Sequence, residues 1–151
     1  MTKTVQFADL KSVEGLDLGC SDWVEITQDM INTFAEVTND HQWFHVDVER
    51  AKKEIGGTIA HGFLTVSLMS GMSYGLLKIE GVTRAINYGF DKLRFLAPVP
   101  AGSRVRGRFK LLSAEDKGGG RWLIKHELTI EIDGADKPAL IAEWLGMQVT
   151  G

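Results

Sequence analysis

Hydrophobic and polar residues repeat with different periods in the two halves of the chain. In residues 122–132 every second residue is apolar or aromatic, and this period of two predicts a long β-strand with one buried face. Similar runs predict strands over residues 84–96, 104–112 and 139–149, with a short strand near residues 22–26. Because Gly118-Gly119-Gly120 separate two of these runs, a hairpin turn is expected there. The second half is therefore predicted to form an antiparallel sheet.

The first half follows the helical period instead. Thr27 is suited to cap a helix that runs to about residue 38, whose apolar stripe consists of Met30, Ile31, Phe34 and Val37. A short helix is predicted over residues 48–54, ended by Gly56 and Gly57. The third predicted helix covers residues 63–79 and is apolar on most sides, which indicates that it is buried.

One buried helix together with long antiparallel strands predicts an α+β fold in which a sheet wraps around the helix. With 151 residues the chain has the size of one domain, so a single domain over residues 1–151 is expected. Hydrophobic residues make up 44% and charged residues 25%, which are ordinary globular values and argue against disorder.

Net charge and cysteine content narrow the classes of function. The net charge is −3 and the pI is about 5.8. The chain therefore lacks the excess of positive charge that attracts nucleic acids and anionic membranes, and neither partner is predicted. Residues 56–77 lack charged side chains but are too polar and glycine-rich to span a membrane. Because Cys20 is the only cysteine and residues 1–12 have no apolar signal-peptide core, a reducing, cytoplasmic location is predicted.

The densest chemical stretch lies in residues 39–47, directly after the first predicted helix. It contains Asp40, His41, His45 and Asp47. A carboxylate and an imidazole separated by one loop turn can converge on one water molecule, because one orients it while the other exchanges a proton near neutral pH. This spacing suggests a catalytic pair; the alternative is that Asp40 caps the loop and both histidines lie on the surface.

A second stretch, residues 56–63, leads into the buried helix. The free N–H groups of a helix N-terminus and the small Gly62 would let a carbonyl oxygen approach, which makes this a candidate oxyanion site. An ordinary turn in which His61 caps the helix is an equal alternative. Although His41 and His45 are four residues apart, they lie in a predicted loop without an HExxH pattern, so no metal is predicted. His126 follows the apolar register and is expected to be a core histidine with satisfied hydrogen bonds.

Two segments resemble the motif of MaoC-like (R)-specific enoyl-CoA hydratases, and in particular a nodulation-protein-N-like subgroup. They are residues 38–47 (TNDHQWFHVD) and residues 59–63 (IAHGF). Residues 94–99 (RFLAPV) are similar to the strand and turn that follow the helix in that family. The sequence departs from the family pattern at Asn39, which replaces Gly, and at Gln42-Trp43, which replace Asn-Pro.

The resemblance implies a hot-dog fold, in which a long central helix is wrapped by an antiparallel sheet, and a homodimer. It implies that Asp40 and His45 are the catalytic pair, that the Gly62 N–H polarises a thioester carbonyl, and that Ser70 lies near the substrate. Water would add to C3 of a trans-2-enoyl-CoA while a proton reaches C2, giving an (R)-3-hydroxyacyl-CoA in a reversible reaction. The CoA thioester is then the substrate, and no further cofactor is implied.

Two other functions fit the same fold. A hot-dog acyl-CoA thioesterase often has a carboxylate on its central helix, whereas residues 63–77 contain neither Asp nor Glu. A non-catalytic acyl-CoA-binding partner subunit would be expected to lose the catalytic pair, whereas Asp40 and His45 are both present. The sequence therefore favours the hydratase.

Overall fold

The computed structural model describes residues 2–151, in which five short α-helices follow one another in the first half and long strands make up the second half. The strands are β1 (Lys3–Gln6), β2 (Asp17–Cys20), β3 (Val24–Glu25), β4 (Leu77–Glu80), β5 (Arg84–Phe95), β6 (Arg104–Asp116), β7 (Arg121–Ile132) and β8 (Leu140–Val149). The α-helices are α1 (Gln28–Thr38), α2 (Trp43–Val46), α3 (Val48–Ile55), α4 (Gly62–Ser67) and α5 (Met69–Ser73), and a 3₁₀ helix covers Phe7–Val13.

The larger sheet is antiparallel and has the order β2-β6-β7-β8-β5, with β3 also paired to β6. Burial alternates along β7, as the period of two predicted. The predicted strands over residues 84–96, 104–112, 122–132 and 139–149 are confirmed, and the short strand near residues 22–26 is confirmed as β3. The α+β arrangement with an antiparallel sheet is therefore confirmed.

The first two predicted helices are also confirmed. The hydroxyl oxygen of Thr27 accepts a hydrogen bond from the Met30 N–H at 3.1 Å, so it caps α1 as expected. Helix α3 ends at Gly56, whose φ of 88° is the left-handed conformation that glycine adopts without strain.

The prediction of one helix over residues 63–79 is wrong in length. Helical backbone covers residues 62–73, hereafter the central helix: α4 and α5 join through Leu68, which also has helical dihedrals. Tyr74 is extended and Gly75 has a φ of 83°, so the helical hydrogen-bond ladder cannot continue. The remaining apolar residues instead form β4, which pairs in parallel with β1.

The central helix packs against one face of the sheet. Its buried side chains, such as Leu64, Met69 and Met72, belong to one core cluster with fully buried sheet residues, among them Phe109 and Leu128. Burial of this apolar area is the main stabilising contribution to such a fold. Within residues 2–151 no helix combines the length and apolarity that crossing a membrane requires.

Strand β5 lies at one edge of the sheet and leaves much of its length exposed. Three of its large side chains are about half exposed or more: Ile86 at 49%, Tyr88 at 61% and Phe95 at 50%. Its pairing with β8 shifts between Asn87 and Gly89, so Tyr88 lies in a bulge. An exposed edge of this length offers unpaired backbone groups to another strand.

Candidate active site

The loop between α1 and α2 carries the predicted carboxylate. Helix α1 ends at Asn39, which has a φ of 56° and donates its N–H to the Ala35 carbonyl. Asn tolerates this left-handed conformation better than most residues, which explains how it replaces the glycine of the family motif. The N–H of Asp40 also bonds to the Ala35 carbonyl, at 3.2 Å, so the start of the loop is fixed where the aspartate stands.

His45 lies on the short helix α2 and is only 6% exposed. Its Nδ1 lies 2.7 Å from the carbonyl oxygen of Ile59, and because a carbonyl only accepts, Nδ1 carries the proton and donates. The other ring nitrogen, Nε2, is thereby left as an acceptor. Burial lowers the pKa of His45 below its ordinary value of 6.5, against an opposing effect of the bond to Ile59, so the ring is neutral at pH 7. A neutral imidazole with a bare Nε2 is able to accept a proton.

His61 completes the cluster in a way that the sequence did not indicate. Its Nε2 donates to the backbone carbonyl of Asp40 at 3.0 Å, and its ring stacks on His45 with centroids 3.8 Å apart. It occupies the N-cap position of the central helix, but its side chain makes no capping bond there. The suggestion that it caps the helix is therefore wrong, and its ring instead connects the aspartate loop to the helix.

Asp40, His45 and His61 each bring one carboxylate oxygen or ring nitrogen within 4.8 Å of the others. That separation is small enough for one water molecule to contact both Asp40 and His45. These three are also the residues that could hold a metal ion. However, the two rings are stacked at 23°, which points their nitrogens side by side rather than toward one point, so the geometry favours a water molecule. The absence of a metal remains a prediction.

A cavity of about 400 Å³ opens beside His45 at the N-terminal end of the central helix. We call it the catalytic cavity; its walls include His45, Gly62, Thr65 and Phe95. Gly62 lies in the first turn of the central helix, where backbone N–H groups lack helical partners, and no side chain would fit there without moving Phe95, since a Cβ would lie 2.7 Å from that ring. Asp40 adjoins His45 but is not among the lining residues.

Not every predicted residue meets at this cavity. Asp40 lies next to His45, and His45 and Gly62 both line the cavity, whereas His41 lies on the surface with its Nε2 2.7 Å from Glu36. Ser70 lines a second cavity at the other end of the central helix. Thr65 was missed: it lies one turn after Gly62, it is 2% exposed, and its hydroxyl has no partner within the described residues. The sequence could have indicated Thr65, because residues three apart in a helix lie on the same face and Thr65 is three residues after Gly62.

Comparison with known proteins gives a consistent picture. A family model described as the MaoC like domain matches residues 10–131. The chain is 49% identical over 137 residues to 3-hydroxyacyl-thioester dehydratase Z of Mycobacterium tuberculosis, covering 90% of this chain and 91% of that protein. It is 46% identical over 144 residues to Nodulation protein N of Rhizobium leguminosarum, covering 93% and 89%.

Among solved structures, the monoamine oxidase regulatory protein from Archaeoglobus fulgidus superposes with a TM-score of 0.80 at 25% identity. The match covers 100% of this chain and 99% of that one. The hot-dog fold that the motif resemblance implied is thereby confirmed.

Proposed function

This chain belongs to the family of MaoC-like dehydratase domains, and from that membership we propose that it is an (R)-specific enoyl-CoA hydratase. It adds water to a trans-2-enoyl-CoA to give an (R)-3-hydroxyacyl-CoA, and it catalyses the reverse dehydration. The observation that carries the proposal is the neutral His45 at the edge of the catalytic cavity, with Nε2 free to accept a proton and a ring nitrogen within 4.8 Å of an Asp40 carboxylate oxygen.

The pair acts on one water molecule. His45 Nε2 accepts a proton from the water while the Asp40 carboxylate orients it, and the water oxygen bonds to C3 of the substrate. The proton is then returned to C2, so that the elements of water are added and nothing else is consumed. The bond from Nδ1 to the Ile59 carbonyl fixes the tautomer that this step requires.

Negative charge develops on the thioester oxygen as the water adds, and the Gly62 N–H, in the first turn of the central helix, is proposed to stabilise it. Helical hydrogen bonds run through Leu68 from α4 into α5, so the N-terminus at Gly62 belongs to a continuous twelve-residue helix. The dipole of that helix adds to the hydrogen bond in stabilising an enolate oxygen. The chemistry needs no cofactor beyond the CoA carrier.

The functional unit of this proposal is a homodimer formed through β5. The catalytic cavity lies at the Phe95 end of this edge strand, and the second cavity lies at its Ile86 end. If two copies pair antiparallel along β5, a two-fold axis brings the Phe95 end of one strand to the Ile86 end of the other. The catalytic cavity of one subunit then faces the second cavity of its partner, and one acyl chain can extend from the first into the second.

The test is the loss of conjugated enoyl-thioester absorbance with crotonyl-CoA as substrate. Asp40→Asn and His45→Gln are each expected to lower kcat/KM by about 10²-fold or more, the scale of lost general acid–base catalysis. His41→Gln is the matched control, because His41 lies in the same loop but faces solvent and pairs with Glu36. Near-normal activity of either variant at the pair would contradict the assignment. Release of free CoA thiol without hydration would indicate a thioesterase instead.

A further inference from the structure

The second cavity is distinct from the catalytic cavity and is built differently. It holds about 280 Å³ at the C-terminal end of the central helix. Its floor is formed by buried residues of the sheet, including Phe109, Ile124, His126 and Trp144. Tyr74, which is 79% exposed, lies at its rim. The reaction proposed above uses none of these side chains.

His126 is the unusual member of this floor. It is 8% exposed, and its Nδ1 has no hydrogen-bond partner within the described residues, contrary to the expectation of a satisfied core histidine. Its neighbours are aromatic: the ring centroids of Trp144 and Phe109 lie 5.6 and 6.4 Å away. Burial lowers the pKa of His126 to about 4, so the ring is neutral at pH 7. A buried polar atom without a partner is unfavourable. Nδ1 itself has almost no accessible surface, so a ligand in the cavity that His126 lines reaches it once the ring turns, and a ligand that then supplies the missing partner is bound more tightly.

Other groups around the cavity point to the same class of ligand. The side-chain oxygen of Asn87 accepts a hydrogen bond from Trp144 Nε1 at 3.2 Å, so the amide hydrogens of Asn87 remain as donors. Ser70 and Gln148 add further uncharged polar groups to the wall. Asp, Glu, Lys and Arg are all missing from its lining within residues 2–151. The cavity is thus apolar with several uncharged hydrogen-bonding groups, which suits an aliphatic ligand bearing a neutral oxygen.

We propose that the second cavity binds the far end of the acyl chain and that His126 hydrogen-bonds an uncharged oxygen carried there, so that the substrates are oxygenated acyl thioesters. A neutral imidazole has one donor and one acceptor nitrogen, and a hydroxyl group can satisfy either. A carboxylate is disfavoured, because its charge would be buried among aromatic rings without a cation. The inference rests on the proposed hydratase function and on the dimer that joins the two cavities.

The test is a comparison of binding by calorimetry, which does not depend on turnover. Saturated ω-hydroxyacyl-CoA esters, from hexanoyl to dodecanoyl, are titrated into the protein beside unsubstituted acyl-CoA esters of equal length. At the length that reaches His126, the hydroxylated ester is expected to bind about tenfold more tightly, since the unsubstituted chain leaves the imidazole unpaired. The corresponding ω-carboxyacyl-CoA is expected to bind more weakly than both.

Two variants assign the preference to this side chain. His126→Leu is expected to abolish the preference for the hydroxyl group, whereas His126→Asn, which keeps a polar atom near the position of Nδ1, should retain a preference within about threefold of the original. If a variant fails to fold, the wild-type series still decides: equal affinity for hydroxylated and unsubstituted esters at every length overturns the inference, as does tighter binding of the carboxylate. A preference that survives in His126→Leu also overturns it.

Hydration assays and binding measurements on the same protein distinguish a failure of this inference from a failure of the proposed function. Hydration of crotonyl-CoA without any hydroxyl preference supports the hydratase and overturns the role of His126. A His126-dependent hydroxyl preference without hydration supports the role of His126 and overturns the proposed reaction.

Discussion

Replacing Gly62 with alanine tests whether the catalytic cavity depends on the close contact between the central helix and Phe95. The new Cβ would lie 2.7, 2.9 and 3.1 Å from three atoms of the Phe95 ring. The shortest of these is about 0.7 Å inside ordinary van der Waals contact at 3.4 Å, so the ring has to move. Because Phe95 is half exposed, it can rotate outward at a cost of about 1 kcal/mol.

The effect on stability is expected to be small. Alanine is favoured over glycine in a helix by about 1 kcal/mol, which offsets the displacement of the ring, so the melting temperature should stay within about 4 °C of the wild type. The effect on activity is expected to be larger. Phe95 and Gly62 form adjoining parts of the wall where the thioester carbonyl would lie, and a displacement near 1 Å in such a site lowers kcat/KM by about 10- to 100-fold.

The assay is a double-mutant cycle with crotonyl-CoA hydration and thermal unfolding as the two measurements. Phe95→Ala removes the ring, so Gly62→Ala in that background has nothing to displace, and the double variant should match Phe95→Ala alone within about threefold. If Gly62→Ala has wild-type activity, or if its loss of activity is the same in both backgrounds, the steric reasoning is refuted.

Four further predictions concern the protonation of His45 and of His126, assembly and the aspartate loop. Because protonated His45 cannot act as a base and burial lowers its pKa, the acidic limb of the kcat/KM pH profile should have its midpoint below pH 6.5. The pKa of His126 is 6.5 unfolded and about 4 folded, so as pH falls between these values the unfolded chain binds the proton and His126 lowers the unfolding free energy by up to about 3 kcal/mol. Chemical denaturation should show this slope, and His126→Leu should make it clearly shallower, with the remaining slope coming from groups such as His45 whose pKa is also lowered on folding. Lysines at Ile86 and Tyr88 should give a monomer in light scattering with little activity, and a dimer of full activity would contradict pairing through β5. Asn39→Val, which disfavours the left-handed conformation, should destabilise the fold by about 1 kcal/mol or more, whereas Asn39→Gly should be nearly neutral.

The strands could be predicted from the sequence because each has one buried and one more exposed face. In β7 apolar and polar side chains alternate in step with the buried and the more exposed face, and the predicted boundaries agree with the structure. The end of the central helix could not be located in the same way. Residues 74–80 are mostly apolar and suit either a helix or a strand, and the choice depends on β1, a distant segment whose backbone pairs with β4.

In the candidate site too, residues that are close in sequence could be predicted, whereas contacts between distant segments could not. Asp40 and His45 are five positions apart in one loop, so the sequence itself indicated that they are close. The stacking of His61 on His45 depends on how the turn before the central helix meets α2, where the Ile59 N–H bonds to the Phe44 carbonyl at 3.0 Å. The vacant hydrogen-bonding capacity of His126 depends on its aromatic neighbours from β6 and β8, and an apolar register alone predicts only burial.

The parallel pairing of β1 with β4 has a consequence for biosynthesis. Lys3–Gln6 leaves the ribosome before its partner Leu77–Glu80, which is made only after the whole central helix. Since chains emerge from the N-terminus onward, β1 must wait unpaired while that helix is translated. The long sheet strands β5 to β8 come later still, so the apolar face of the helix is uncovered throughout this interval. A nascent chain that has emerged from the ribosome as far as Glu80 can close this strand pair but still exposes the apolar face of the central helix, which is the kind of surface that chaperones bind.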